Sequence, residues 1–284
     1  MVNTASVKKI SAVILARNEE QNIRNCLETV RWCDEIVVVD MQSSDGTVGI
    51  AREYTDRLFS HEIVTAFDIA KKFAVEQATG EWVLLIDADE MIPAALADAL
   101  RSLVLDGSCD VVEIPFKHYI MGAWVRNSGW GDTPLPRLFR QGSIRFEKTI
   151  HGYMQVEAGA KVRRLTPGEE GCIIHFNYTD SRHFMEKLNC YTSVEAEHLY
   201  EREQQFRYSS MFMAALREFH GRYVKGKGYR DGVRGFALSA MMAFYRVLTF
   251  IKLWELHEFR EDPVESRYER LRRKVIAEWK GRGQ

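Results

Sequence analysis

Between Ile10 and Asp87 the chain alternates short apolar runs with amphipathic stretches. Ile10 to Ala16 reads as a buried strand, and the segment from Glu20 to Trp32 carries Ile23, Leu27 and Val30 at helical spacing. A second apolar run, Ile36 to Val39, stops at Asp40 and gives way to the turn formers Ser44, Asp45 and Gly46, after which Thr47 opens a short helix. Arg57 to Ser60 predicts a third strand, Phe67 to Ala78 a helix, and Trp82 to Ile86 a fourth strand that stops at DADE. Strand and helix alternate throughout, which predicts an α/β fold with a mostly parallel sheet and helices on both faces. Ligands of such sheets sit beyond the carboxyl ends of the strands. Three polar segments (Arg17 to Glu20, Asp40 to Asp45, Asp87 to Glu90) fall at those ends, so one site can collect them.

After a helix expected over Pro93 to Leu105 the pattern turns β-rich and aromatic: DVVEIPFKHYI, Gly129 and Trp130, Arg137 to Phe139, and Ile173 to Phe176. From Asp180 onward it is helical, with helices expected near 181 to 204, 209 to 224 and 231 to 258. The expected division is a catalytic domain over 1–178, whose 1–106 half takes the donor and whose 107–178 half takes the acceptor, and a helical region over 179–284.

Composition narrows the classes. The formal charge of −1 hides acidic motifs in the first hundred residues and a cluster of Arg and Lys after about Arg207, and it does not suggest nucleic-acid binding. Cys26, Cys33, Cys109, Cys172 and Cys190 lie far apart with no C-x-x-C pair, so neither a zinc site nor a disulfide framework is expected. Met1 to Lys9 is polar and carries no apolar signal-peptide core, which points to the cytoplasm.

Asp87 and Asp89, in LLIDADE, carry the strongest chemical signal. A departing nucleoside diphosphate develops negative charge on its pyrophosphate, and Mg²⁺ or Mn²⁺ held by hard carboxylate oxygens neutralises it. At a bending strand end one carboxylate can address the ribose and the other the metal. A solvated loop is the alternative for an isolated D-x-D, but the preceding G-E-W and apolar strand favour the site. Asp40, after IVVV, needs a partner to offset its burial and can accept from a nucleobase or ribose. Asn18, Glu19 and Glu20 either join that site or cap the helix that follows.

Taken together, ILARNEE, VVVDMQSSDGT and GEWVLLIDADE, in that order and spacing, resemble the nucleotide-binding half of family 2 glycosyltransferases. The later GW, RLF, TIHGY, IIHFNY and KLNCYTSVEA resemble the branch of lipopolysaccharide-core sugar transferases, and the likeness runs from about Ile10 to Leu256. The resemblance implies a GT-A fold and inverting transfer of a UDP-glucose-like donor's sugar to a saccharide or glycolipid hydroxyl. It assigns the nucleotide sugar to Ala16, Arg17, Asn18, Glu19, Asp40, Ser43, Lys72, Asp87 and Ala88, and the metal to Asp89. Met41 and Lys72 depart from the family pattern, where a small polar residue and Asn are usual.

Inverting transfer needs a base beside the acceptor hydroxyl. Asp132 is the first candidate and Glu147 the second, with turn capping as the alternative for Asp132. His151 is a candidate metal ligand, His175 is read as structural, and Arg137 contacts phosphate or forms a surface ion pair. Gly235 to Trp254 is apolar, is preceded by the basic VKGKGYRDGVR, and either docks on the inner-membrane surface or packs on the helix before it. Two other classes stay open: sugar-nucleotide nucleotidyl transfer, whose glycine-rich opening loop is missing from ILARNEE, and a noncatalytic binding protein of the same fold.

Overall fold

The computed structural model describes residues 9–63, 67–131, 133–146, 154–168 and 171–281. The chain runs β1 (Ile10–Ala16), α1 (Ile23–Val30), β2 (Glu35–Asp40), α2 (Thr47–Ala51), β3 (Leu58–Ser60), α3 (Phe67–Glu76), β4 (Trp82–Asp87), β5 (Glu90–Met91) and α4 (Ala94–Asp106). A strand-rich stretch follows: β6 (Val111–Ile114), β7 (Phe116–Ile120), β8 (Ala123–Trp124), β9 (Leu135–Arg140), β10 (Ile144–Phe146), β11 (Met154–Val156), β12 (Val162–Arg164) and β13 (Ile173–Tyr178). Helices α5 (Ser181–Glu201), α6 (Tyr208–Phe219), α7 (Gly232–Phe259) and α8 (Val264–Gly281) complete it. A π-helical turn, His220–Lys225, and a 3-10 turn, Gly228–Asp231, join α6 to α7.

The main sheet has the order β12-β6-β9-β4-β1-β2-β3, parallel from β4 to β3, with β9 running against both β4 and β6. Side chains alternate across its pleat, so one strand feeds two cores. Ile10, Ala12 and Ile14 of β1 with Trp82, Leu84 and Ile86 of β4 pack under Ile23, Leu27 and Val30 of α1 and Leu96, Leu100 and Val104 of α4. Val13 and Leu15 with Val83 and Leu85 pack on Ala70 and Ala74 of α3 on the other face. Each such aliphatic side chain contributes about 1.5–3 kcal/mol on burial.

A smaller sheet, β5-β13-β7-β8, lies beside the main one and carries the strand β13 that reaches the DADE turn. The five cysteines are free.

Three expectations need correction. Helix α1 begins at Ile23 rather than Glu20, because the Glu20 carboxylate is occupied by the Gly46 amide at 2.8 Å and Asn18 turns the chain at φ 54°. The helix expected over 209 to 224 ends at Phe219 and loosens into the π turn. Helix α8 was not expected; its side chains are largely exposed, and local ion pairs such as Arg273 with Glu269 at 2.9 Å link its turns in place of a core-facing stripe.

Candidate active site

Parallel register brings the acidic segments together. Ala16 lies opposite Asp40 on β2, and Leu15 lies opposite Asp87 on β4, so all three strand ends open on one edge. The loops beyond β1 and β2 are stitched across that edge. The Asn18 amide donates to Ser43 Oγ at 2.8 Å, the Ser44 amide to Asn18 Oδ1 at 2.8 Å, and the Glu19 amide to Thr47 Oγ1 at 2.8 Å. Asn18 and Glu20 therefore tie two loops together instead of capping α1. Asp40 is buried; its Oδ2 accepts the Ser43 amide at 3.1 Å, while its Oδ1 has no hydrogen-bond partner among the described residues. Such an oxygen is costly to leave unpaired, by about 1–3 kcal/mol, and a ligand donor would relieve it.

Arg137, on β9, is buried among carboxylates. Its guanidinium donates to Asp87 Oδ2 at 3.0 Å, Glu90 Oε1 at 2.7 Å and the Leu85 carbonyl at 3.3 Å. The surface ion pair considered from sequence is thus an interior one. Burial opposes ionisation of Asp87, but the charges of Arg137 and Lys71 outweigh it and hold this carboxyl well below the usual range. For Glu90 burial prevails, joined by the Asp87 charge, and its carboxyl is pushed up to about 7. Lys71 is the lysine that Asp87 feels. Lys72, half exposed, lies 3.8 Å from Glu76.

Asp89 is buried next to Ala88, at the turn after β4. It meets His175 Nε2 at 3.5 Å and Lys187 Nζ at 3.5 Å. Register explains the histidine, since β13 pairs with β5 so that His175 faces Glu90. His175 also lies 3.2 Å from His118, Nδ1 to Nδ1. Burial opposes its charge, yet the Asp89 contact raises its pKa, whereas burial and the neighbouring His175 push His118 down to about 4. His175, read from sequence as structural, thus lies against the D-x-D turn. Glu19, at the end of the β1 loop, is pushed up to about 7 by burial and by Asp89.

Among the described residues no three His, Cys, Asp or Glu side chains converge as a ready metal cage. Asp89 nevertheless offers the hard carboxylate oxygen that a divalent ion takes, and the cationic contacts of His175 and Lys187 at 3.5 Å are ones that such an ion would take over. Asp132, Glu147 and His151 lie outside the described residues. Nothing in the sequence marks Lys187 or His118 for this site. Lys187 stands in the KLNC segment, but nothing local in that helix signals that it reaches back nearly a hundred residues to Asp89.

A parallel sheet whose carboxyl edge gathers a D-x-D turn, with a strand-rich half and a helical region beyond it, defines a GT-A glycosyltransferase. Residues 11–161 match the profile of glycosyl transferase family 2, and the chain belongs to that family. It is 28% identical over 262 residues to the lipopolysaccharide core biosynthesis glycosyltransferase LpsC of Rhizobium meliloti, covering 89% of this chain and 95% of that one. It is 27% identical to a glycosyltransferase of Rickettsia typhi, with 88% of each chain covered. Among solved structures it is similar to a mannosyltransferase from Pyrobaculum calidifontis in complex with GDP-Man and Mn²⁺, at 17% identity, TM-score 0.46 and 87% coverage of each chain. Family membership decides for glycosyl over nucleotidyl transfer.

Proposed function

We propose that the protein transfers a hexose from a nucleoside diphosphate donor to a saccharide hydroxyl of a glycolipid of the lipopolysaccharide-core type, with inversion at the anomeric carbon. The observation that carries this reading is the alignment of Asp40, Asp87 and Asp89 at one sheet edge, with an unpaired buried oxygen on Asp40. Asp40 accepts from the base or ribose. Ala16, Arg17, Asn18, Glu19 and Ser43 shape that end of the cleft, and Lys71, rather than Lys72, supplies positive charge near Asp87. The similarity to LpsC supports the acceptor class.

Asp89, with His151 as the second candidate ligand, would hold Mg²⁺ or Mn²⁺, which supplies positive charge to the leaving diphosphate. Arg137 keeps Asp87 ionised. Lys187, from α5, presents a second positive charge at the same end. The acceptor hydroxyl loses its proton to a carboxylate, for which Asp132 is the first candidate and Glu147 the second. The enzyme works peripherally, at the cytoplasmic face of a membrane that carries its acceptor.

Thermal unfolding in the presence of UDP-, GDP- and ADP-hexoses with Mn²⁺ tests the donor, since a ligand at a hundred times its Kd stabilises by about 2.7 kcal/mol. One nucleotide series should raise Tm by several degrees. No shift with any of them would remove the donor site from this edge.

A further inference from the structure

The apolar run of α7 was expected either to dock on a membrane surface or to pack on the helix before it, and part of it is covered by neighbouring helices. Leu238 is buried, and Met241, Met242 and Tyr245 pack with Phe184 and Leu188 of α5. Arg246 pairs with Glu195 at 2.8 Å and Glu218 at 2.9 Å, and Lys252 donates to Asn189 Oδ1 at 2.8 Å and Ser193 at 2.7 Å. The two charges within the run therefore fasten α7 to its neighbours. The helix with its leading turn, Gly228–Phe259, is long and apolar enough to cross a membrane by length and composition, yet these contacts occupy its interior.

One exposed apolar surface, distinct from those on α8, lies at the tip of the α6–α7 hairpin. Val224, Tyr229, Val233 and Phe236 are exposed there, Val233 by 84%. The rings there are joined, because Tyr223 meets Tyr229 at 6.3 Å and Phe236 at 5.8 Å between ring centroids, and Phe219 meets Phe236 at 6.0 Å; Val224 and Val233 neighbour these rings in sequence. The patch continues along α6 through Leu216 and Phe212, one helical turn apart and both more than 60% exposed.

Charge at this tip is sorted by direction. His220 to Phe236 contains five Arg or Lys and one Asp. The Asp and one Arg turn inward: Asp231 accepts the Asn127 amide at 3.0 Å, and Arg222 pairs with Glu218 at 2.6 Å and donates to the Ser128 carbonyl at 2.8 Å. Lys225, Lys227 and Arg230 are exposed, while Arg234, though exposed, donates its Nε to the Met121 carbonyl at 3.0 Å. The outward face is thus apolar and aromatic with three cations, Lys225, Lys227 and Arg230, and no anion between His220 and Phe236 other than the inward Asp231, the composition that seats in the interface of an anionic bilayer.

The geometry points to this tip as a docking surface for an anionic lipid bilayer. The inward contacts show what docking would accomplish. Asp231, Arg222 and the Gly226 carbonyl, which accepts the Ser128 amide at 2.9 Å, grip residues 126–128, and Trp130 just beyond lies 5.9 Å from His118 between ring centroids. A bilayer at the tip therefore borders the acceptor side of the site. In its purpose, though not in its geometry, the inference rests on the glycolipid acceptor proposed above.

Co-sedimentation of the full chain with phosphatidylcholine vesicles, with and without phosphatidylglycerol, at low and high salt, tests it. Each basic side chain near an anionic surface strengthens binding about fivefold. The combined Lys225→Glu, Lys227→Glu and Arg230→Glu variant should lose at least about a hundredfold in affinity for the anionic vesicles, and salt should weaken the wild type. Val233→Ser with Phe236→Ser should weaken binding further at high salt. Circular dichroism and donor hydrolysis should match wild type in both variants. Wild type that fails to pellet, or pellets as well after charge reversal, overturns the inference. So does a lipid-free dimer that Val233→Ser with Phe236→Ser dissociates, which would give the face to a second copy. Vesicle binding without hydrolysis of any nucleotide sugar would leave the docking surface standing and defeat the transferase reading instead.

Discussion

Arg137 sets the electrostatics of the site, since one buried guanidinium bonds both Asp87 and Glu90. Removing one partner of such a cluster leaves buried charge uncompensated, at about 3–5 kcal/mol. Arg137→Met should therefore lower stability by about that amount in urea unfolding at pH 7, a much larger loss than a surface pair would show. Asp40 makes a different prediction, because its unpaired Oδ1 has a role only when a donor is bound. Asp40→Ala should cut nucleotide affinity about ten- to a hundredfold, the worth of a hydrogen bond to a charged group, and titration calorimetry would read it. At this scale the D-x-D and Asp40 were legible, because a carboxylate directly after an apolar strand demands an explanation. Arg137, His175 and Lys187 were not, since each meets Asp87 or Asp89 through pairing of elements 50 to 100 residues apart.

Among the elements, β1, β2 and β4 were read nearly to the residue from their apolar runs. Their register was not legible, because it is pinned by long-range polar contacts such as those of Glu35. That carboxylate accepts from Ser11 Oγ, from the Thr79 amide at 2.8 Å and from Thr79 Oγ1 at 2.9 Å, and pairs with Arg57 at 2.8 Å. Gly80 completes this knot; a Cβ there would lie 2.6 Å from Ser11 Oγ, so no larger residue fits without a shift. Burial opposes ionisation of Glu35, but these bonds outweigh it and lower its pKa. A carboxyl lowered in the folded state contributes stability that is fully present above its unfolded value, 4.5, and is lost as pH falls through the folded value. Glu35→Gln should accordingly cost about 1.5–3 kcal/mol at pH 7, and the difference from wild type should shrink toward pH 3. A gap independent of pH would mean that the charge of Glu35 contributes nothing.

For the whole molecule, the helical region was legible as three helices but not as a support for the site. Its packing depends on polar residues such as Arg246 that interrupt an apolar run, and their partners lie on other helices. Arg246→Ala should loosen α6 from α7 at about 1–2 kcal/mol, less than a fully buried pair because its side chain is 34% exposed, and hydrogen exchange along α6 should rise. The helical region also delivers Lys187 to Asp89, so donor site and support form one unit around a single charged centre. The measurement that bears most directly on this account is release of nucleoside diphosphate from labelled UDP- and GDP-hexoses, with and without Mn²⁺, by wild type and Asp89→Asn. Wild type should release nucleotide from one donor only with the ion present, and Asp89→Asn should fall at least about a hundredfold while keeping its circular dichroism spectrum. A variant within about tenfold of wild type, or wild-type turnover indifferent to chelation, would contradict a metal-assisted transfer centred on Asp89.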